Sequence, residues 1–225
     1  MSTVRPRGQR SGAREHRTFG WTWLRPYPPG IDAVAHAELR PDAPLKGRLV
    51  SVEPLEERHR EGLREAAAED PTIFRYMVYD GNFDAWFDAA LEAPAEIPFA
   101  TVRDGQVLGS TRYLNYEPSH RRVEIGWTWL RPAAWNSGAN LETKFLLMQN
   151  AFERAGLQRV EFKTDARNER ARRALAALGL EFEGIHRKHM MLPTGPRDSA
   201  WYAATEDDWP DVKAHLLSRL ESKQQ

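Results

Sequence analysis

Hydrophobic and polar positions begin to follow regular patterns at about residue 45, and the first patterns predict a strand followed by helices. Alternation over residues 48–53 is typical of a strand with one buried face. Residues 55–69 are rich in Glu, Arg, Leu and Ala, which favour a helix. Residues 74–91 are rich in aromatic side chains and predict two helical pieces, because the turn dipeptide Asp80-Gly81 interrupts them.

Three strand patterns in the middle of the chain predict an antiparallel meander. Residues 99–103 and 107–116 flank Asp104-Gly105, a dipeptide that is a strong hairpin signal. Residues 122–130 follow as a third strand. Strands joined by such short connections pair in antiparallel fashion.

The second half of the chain changes to a helical period. Apolar residues recur every three or four positions from Leu141 to a glycine stop at Gly156, which predicts one face of a helix. A strand at 160–164 follows, and Asn168 is a suitable N-cap for a helix that ends at Gly179. The apolar stripe of that helix consists of Ala171, Ala174, Leu175 and Leu178.

Two further strands, at 182–191 and 200–205, and a helix at 208–220 complete the pattern. The succession of strand, helix and strand requires one right-handed βαβ crossover beside the meander. The predicted class is therefore α+β, with a mixed, mostly antiparallel sheet.

Composition limits the class of protein and its chemistry. The chain has 225 residues, 41% of them apolar, which is enough for a domain with a sizeable core. Its 32 basic residues balance 32 acidic ones, so the formal net charge is zero. The overall charge therefore gives no indication of binding to nucleic acid or to an acidic membrane. The absence of cysteine excludes disulfides, thiolate metal sites and cysteine nucleophiles, and leaves catalysis to oxygen and nitrogen groups.

The first 45 residues form a segment of different composition. Residues 1–30 contain six arginines and one glutamate, and prolines are frequent up to Pro44. We therefore predict a disordered, basic, Pro/Gly-rich extension at 1–45, a domain at 46–206 and a C-terminal helix at 207–225 packed on it. Neither a secretory signal nor a membrane-spanning run is present, so the predicted compartment is the cytoplasm, with an organellar presequence as the alternative.

One heptapeptide occurs twice. The sequence GWTWLRP at 20–26 recurs at 126–132, whereas the flanking residues differ. A repeat architecture needs about three units, so the favoured interpretation is a fragmentary duplication without function. The alternative is that the first copy imitates the second as a pairing strand.

The segment from Glu124 to Glu142 contains the richest candidate chemistry. A strand ends near Leu130, and a loop with small polar residues leads into the long helix. Free N–H groups and the partial positive charge at a helix start favour an anion, and phosphate is the natural ligand. The segment matches neither a P-loop nor G-x-G-x-x-G, which disfavours nucleoside triphosphatases and dinucleotide-binding domains.

Several short motifs follow one another in a characteristic order: Glu124-Ile-Gly126, Trp135 to Asn140 with Glu142, Asn168 with Leu178-Gly-Leu180, Glu183-Gly184, and Arg197-Asp198 before the last strand. In this order they resemble the GNAT acetyltransferases, most closely their RimJ/RimL-like branch. The resemblance implies a GNAT-like sheet with helices on both faces. It also implies transfer of an acetyl group from acetyl-CoA to a primary amine by direct attack, without a metal.

The resemblance also implies where acetyl-CoA binds. The strand at 127–130 would pair with the pantetheine arm, the loop at 135–140 would bind the pyrophosphate, Asn168 would contact the arm, and a basic group at Arg170, Arg172 or Arg173 would meet the 3′-phosphate. The family's loop signature matches only at Gly138. The predicted cofactor-binding residues are Trp127, Thr128, Trp129, Leu130, Trp135, Asn136, Ser137, Gly138, Ala139, Asn140, Asn168 and Arg173.

Direct attack requires a base, and Glu124 is the first candidate because the resemblance places it beside the thioester. The alternatives are a Glu on an exposed strand face and an ion pair with Arg122. A backbone N–H near Trp127 or Thr128 would polarise the thioester carbonyl.

Other candidate catalytic residues lie elsewhere in the chain. His186 and His189 are alternative bases, and three residues apart on a strand they are predicted to point to opposite faces. Asp198 is predicted to orient the acceptor amine, or else to be an ordinary turn residue.

The acids usual in the resembled family are absent. The position of a common tyrosine falls on Leu175, and that of the RimL-like serine on Ala171. Water or Tyr113 would then protonate the leaving thiolate. This departure keeps open a second hypothesis, a non-catalytic acyl-CoA-binding or regulatory module.

The acceptor is predicted only as a class, a small-molecule amine or a peptide N-terminus. Aromatic residues are candidates for its cleft, although such residues are first of all core; they are Tyr76, Tyr79, Trp86, Tyr113 and Trp127. We expect no nucleic-acid or membrane partner, and a homodimer is one option.

Overall fold

The computed structural model describes residues 39–223, which form one eight-stranded sheet with helices on both faces. The strands are β1 (Leu45–Lys46), β2 (Ser51–Pro54), β3 (Ile97–Arg103), β4 (Gln106–Glu117), β5 (Arg122–Leu130), β6 (Arg159–Asp165), β7 (Glu181–Leu192) and β8 (Gly195–Thr205). The α-helices are α1 (Arg60–Ala68), α2 (Phe83–Glu92), α3 (Ala139–Gln149), α4 (Glu169–Ala176) and α5 (Trp209–Ser222). The first copy of the heptapeptide lies outside the described residues.

The strand order is β1-β2-β3-β4-β5-β6-β8-β7. Only β5 and β6 pair in parallel fashion among these strands, and α3 connects them. All other neighbours are antiparallel. The predicted α+β class, the meander and the βαβ connection are therefore confirmed.

Two hydrophobic cores lie on opposite faces of the sheet. The larger packs α3 and α5 against the strands, and the aromatic rings of Phe152 and Trp209 stack there at 5.1 Å. The smaller packs α1 and α2 against β3 and β5. None of the helices in the part of the chain that the structure describes is long and apolar enough to cross a membrane.

Helix α3 is buried on almost all sides rather than on one face. Beyond Gln149 it continues as a π-helical turn, Asn150–Arg154, so the helical segment nearly fills the predicted range. Its polar residues Glu142, Thr143 and Lys144 are buried together with the apolar ones. Buried polar side chains need partners, and these partners come from distant parts of the sheet.

The larger core begins before residue 46. Leu39 is fully buried, and its carbonyl accepts a hydrogen bond from Nδ2 of Asn150 at 3.0 Å. Residues 39–45 therefore contact the domain, and composition, which places them in the extension, does not reveal this packing. Residues 1–38 lie outside the described residues, so the disorder of that part of the extension stays a prediction.

Glu142 fixes the turn between β1 and β2 to the first turn of α3. Its carboxylate accepts hydrogen bonds from the N–H groups of Arg48, Leu49 and Val50 at 2.8, 2.6 and 2.7 Å. We expect Glu142→Gln to lower the free energy of unfolding by about 2–3 kcal/mol, because an amide NH₂ would face backbone donors. Urea unfolding measures this. Glu92→Gln, at an exposed position on α2, is the control, and equal midpoints for the two variants would contradict the expected role.

Candidate active site

A cavity opens where β5 and β6 separate. These strands pair only through Arg122–Glu124 and Arg159–Glu161, and beyond this point a cavity of about 340 Å³ lies between them. Residues 125–130 of β5 and 162–164 of β6 form two of its walls. Backbone groups on these facing edges are not used by the β5–β6 ladder, so an extended ligand with amide groups can pair there.

A bulge shapes the β5 wall of the cavity. Ser110 pairs with Trp129 and Arg112 with Gly126, so the two residues Trp127 and Thr128 stand opposite one residue of β4. Trp127 has a φ of +50°, which is uncommon for a bulky residue and is typical of functional sites. The guanidinium of Arg112 lies 4.9 Å from the Trp127 ring and supports it.

Helix α4 forms the apolar wall. Asn168 caps it, since Oδ1 accepts a hydrogen bond from the Ala171 N–H at 3.1 Å. The stripe Ala171, Ala174, Leu175 and Leu178 lines the cavity. The apolar stripe of this helix therefore forms a wall of the cavity. It includes Ala171 and Leu175, the positions at which the resembled family has its usual acids.

Glu124 is the buried carboxylate of the cavity wall. It is 1% exposed and lies at the last paired position of β5. Its Oε2 accepts hydrogen bonds from Lys163 Nζ at 2.7 Å and from Asn115 Nδ2 at 2.8 Å. The alternative pairing with Arg122 is wrong, because that side chain contacts Glu161 at 3.1 Å.

Lys144 is a cavity residue that sequence reasoning missed. It is 4% exposed, and its Nζ donates hydrogen bonds to the hydroxyls of Thr111, at 3.2 Å, and Thr128. Burial lowers the pKa of Lys144 to about 7, and the charge of Glu124 opposes this shift. The ammonium thus lies against the side chain of the β5 bulge, and it titrates near neutral pH.

The sequence profile of the acetyltransferase (GNAT) domain matches residues 50–181, which is more than half of the chain. The chain belongs to the GNAT acetyltransferase family. Transfer of an acetyl group to an amine is the general reaction of this family, and the donor is acetyl-CoA.

Three proteins illustrate the similarity. The structure of a GCN5-related N-acetyltransferase from Brucella melitensis is 29% identical, covers 80% of this chain and 87% of its own, and has a TM-score of 0.76. RimJ of Mycobacterium smegmatis, solved with CoA-disulfide, is 18% identical, covers 79% and 97%, and has a TM-score of 0.68, which shows the shared fold.

The third is the uncharacterized N-acetyltransferase YoaA of Bacillus subtilis (strain 168). It is 28% identical over 98 residues, which are 44% of this chain and 55% of YoaA. The chain thus matches about half the length of this curated relative. The predicted GNAT family and its RimJ/RimL-like fold are confirmed.

Most of the residues predicted to bind acetyl-CoA line the cavity of this GNAT domain: Trp127, Thr128, Trp129, Leu130, Trp135, Asn136, Asn140 and Asn168. Beside the loop that leads into α3, the guanidinium of Arg170 on α4 lies 4.0 Å from the centre of the Trp135 ring. This pair forms part of the wall beside Asn136. Contacts of these residues with the cofactor stay predictions.

Four residues of that prediction lie outside the cavity lining: Ser137, Gly138, Ala139 and Arg173. Ser137 Oγ donates to the Ala134 carbonyl at 2.7 Å, and Ala139 is fully buried. Gly138 has a φ of +85°, and an added Cβ would lie 2.7 Å from Leu49. Close packing against Leu49 thus accounts for a glycine at position 138. Arg173 forms an exposed ion pair with Glu169.

The two histidines lie on the same face, so the predicted opposite orientation is wrong. The β7–β8 register moves from His186–Ser199 to Met190–Arg197, which places extra residues in β7, and Lys188 has a φ of +50°. The rings of His186 and His189 lie 4.9 and 5.5 Å from that of Trp201. Burial, followed by nearby positive charge, lowers the pKa of His189.

Neither His189 nor Asp198 lines the cavity. His189 Nδ1 is 3.1 Å from the hydroxyl of Ser199. Asp198 lies within β8, and its Oδ1 accepts the Lys188 N–H at 2.7 Å, which fixes the β7 bulge. In the structure Asp198 thus supports the fold of the β7–β8 hairpin, and its predicted role in orienting an acceptor stays a prediction.

Tyr113 is not placed to act as the acid. Its hydroxyl donates to the Leu147 carbonyl at 2.5 Å inside the larger core, and burial raises the pKa of its phenol. Of the aromatic residues considered for the acceptor cleft, Tyr76 and Trp127 line the cavity. Tyr79 and Trp86 pack in the smaller core.

Proposed function

We propose that the protein transfers the acetyl group of acetyl-CoA to a primary amine of a small molecule or a protein N-terminus, with Glu124 as the base. The observation that supports this most directly is the buried Glu124 on the wall of a cavity that opens between two separating strands. A carboxylate in this position can accept a proton from an amine that enters the cavity.

The cavity fits the donor through backbone groups and apolar side chains. The acetyl-CoA arm is an extended chain with amide groups, and the edges of β5 and β6 offer it main-chain partners between which it can lie. Asn136 and Asn140 near the start of α3, together with Arg170 on α4, are polar lining residues suited to phosphate. Acetyl-CoA supplies the activated acetyl group.

In this mechanism the amine nitrogen forms a bond to the acetyl carbon while the carbon–sulfur bond breaks. Glu124 takes the proton that the amine loses. We expect the bulge at Trp127 and Thr128, where Trp127 has a φ of +50°, to offer backbone N–H groups to the carbonyl, and protonated Lys144 to add positive charge behind Thr128. Water protonates the departing thiolate.

A non-catalytic acyl-CoA-binding module is the second candidate. The apolar Ala171 and Leu175 on the α4 wall favour it, because neither provides an acid. Production of free CoA thiol from acetyl-CoA with a panel of primary amines separates the two. Acetyl-CoA binding without turnover of any amine would favour the second candidate.

Binding itself is tested by filling the cavity. At about 100 times its Kd, CoA should stabilise the wild-type protein by about 2.7 kcal/mol, which raises Tm by roughly 5–10 °C. We expect Ala171→Trp to abolish this shift, because the indole would occupy the cavity. Ala176→Trp, on the exposed side of the same helix, is the control and should keep it. An unchanged shift in Ala171→Trp would place the cofactor elsewhere.

The finer predictions belong to the same proposal. They are a cytoplasmic location, an acceptor that is a small molecule or a peptide N-terminus, and a homodimer. Size-exclusion chromatography with light scattering decides the last point.

A further inference from the structure

Arg197 is a buried cation on the cavity wall whose charge is not matched. It is 7% exposed, and within residues 39–223 no carboxylate oxygen lies within 4 Å of its guanidinium. Its Nη1 donates to the Tyr76 carbonyl at 2.9 Å, whereas its buried Nε has no hydrogen-bond partner among these residues. Other buried arginines of this part of the chain have a carboxylate, as Arg112 has Glu96 at 2.7 Å.

The nearest acidic residues are engaged by other bases. Asp165 binds Arg167 through both carboxylate oxygens, at 3.0 and 2.8 Å. Glu124 binds Lys163. Burial lowers the pKa of Arg197, and the charges of Asp165 and Glu124 only partly oppose this effect. A buried charge without its own counter-ion is costly, so it indicates a ligand of opposite charge.

Arg197 lines the same cavity as Glu124, the proposed base. It lies on β8 opposite Met190 of β7, and both side chains line the cavity together with Tyr76. Glu124 is close enough for its charge to act on Arg197. A molecule in this part of the cavity can therefore present one group to the carboxylate and another to the guanidinium.

We propose that Arg197 binds a carboxylate carried by the acceptor, so that the acetylated substrate is an amino acid or another amine that bears a carboxylate. This inference rests on the proposed function. The planar guanidinium matches a carboxylate with two parallel hydrogen bonds, and charge-assisted bonds of this kind discriminate strongly against neutral analogues. The amine would face Glu124 while the carboxylate faces Arg197.

Paired acceptors test the inference on the wild-type protein. Each of a set of amino acids is compared with its own carboxamide at saturating acetyl-CoA, and release of CoA thiol is followed. We expect KM for the carboxylate member to be about 10-fold or more below that of the carboxamide, since a hydrogen bond to a charged group contributes that much. Equal KM values across the pairs would overturn the inference.

Variants assign the preference to Arg197. Arg197→Gln should raise KM for carboxylate acceptors by about 10–100-fold and leave carboxamides within about 2-fold. Arg197→Lys, which keeps the charge but not the planar group, should give an intermediate result. Arg187→Gln, an exposed position on β7, is the control. A change in acetyl-CoA affinity in place of acceptor KM would instead assign Arg197 to the donor.

Binding measurements separate this inference from the proposed function. If no amine is acetylated, the same pairs are titrated calorimetrically into the protein with CoA present. Tighter binding of the carboxylate members, lost in Arg197→Gln and weakened in Arg197→Lys, would support the anion site while the proposed transfer fails. Equal binding of both members, or binding of neither, would overturn the site.

Discussion

Replacing Lys144 by methionine is expected to stabilise the protein by about 3–5 kcal/mol at pH 6 and by less than about 1 kcal/mol at pH 10. Burial lowers the pKa of Lys144 from its ordinary value of 10.5 to about 7. Below pH 7 both folded and unfolded chains carry the proton, so the full cost of burying the charge is present. Between pH 7 and 10.5 only the unfolded chain keeps it, and stability rises with pH.

Urea unfolding of wild type and Lys144→Met at the two pH values measures this difference. Methionine has a similar length and fills the same space, so no large cavity is created. Lys46→Met, at an exposed position on β1, is the control and should change stability by no more than about 0.5 kcal/mol at either pH. A destabilised Lys144→Met variant, or a gain that is independent of pH, would contradict the lowered pKa. A stabilised variant with a lower rate would indicate that this costly side chain is kept for activity.

Glu124→Gln is expected to lower kcat by about 100-fold or more while acetyl-CoA affinity changes by less than about 2-fold, because general-base catalysis contributes roughly this factor. The amide keeps the size of the side chain but cannot take the proton of the amine. Initial rates give kcat and KM for both substrates, and their pH dependence should change along with kcat.

Glu161→Gln is the matched control for Glu124→Gln. Glu161 pairs in register with Glu124 on the neighbouring strand, is 6% exposed and also contacts basic side chains, Arg122 and Arg159. It does not line the cavity. We expect it to change stability more than kcat. Equal losses of kcat in the two variants would remove Glu124 from its role as base.

The order and type of the elements were predictable because local pattern and turn chemistry agree with the fold. The strand predicted at 122–130 coincides with β5, and Asp104-Gly105 forms the β3–β4 turn. The Asn168 cap was also visible in the sequence. Such signals depend on residues close together in the chain.

The burial of α3 was not predictable in the same way. Glu142 and Lys144 look like solvent-facing residues in the sequence. Their partners are backbone N–H groups at 48–50 and hydroxyls on β4 and β5, all distant along the chain. The spacing of apolar residues identified the helix, but it did not reveal that β1–β2 and the strands β4 and β5 bury its polar side chains.

Local irregularities of the strands limited the prediction of the site. The rule of alternating faces failed for His186 and His189, because the bulge beside Lys188 rotates the chain between them. The α4 stripe was recognised, but the same spacing suits a packed helix and a cavity wall. Arg197 was noticed within a motif, whereas its missing counter-ion is apparent only when the surrounding residues are placed.

Leu39 and α5 have a consequence for where this domain can be cut. The segment that the family profile matches, 50–181, contains neither of them, and it also omits β8, which lies between β6 and β7. Leu39 and Trp209 both pack into the core around α3. A fragment trimmed to 50–181 would expose the edge of β6 and one side of α3 to solvent. The extent of the profile match is thus a poor guide to where this domain can be truncated.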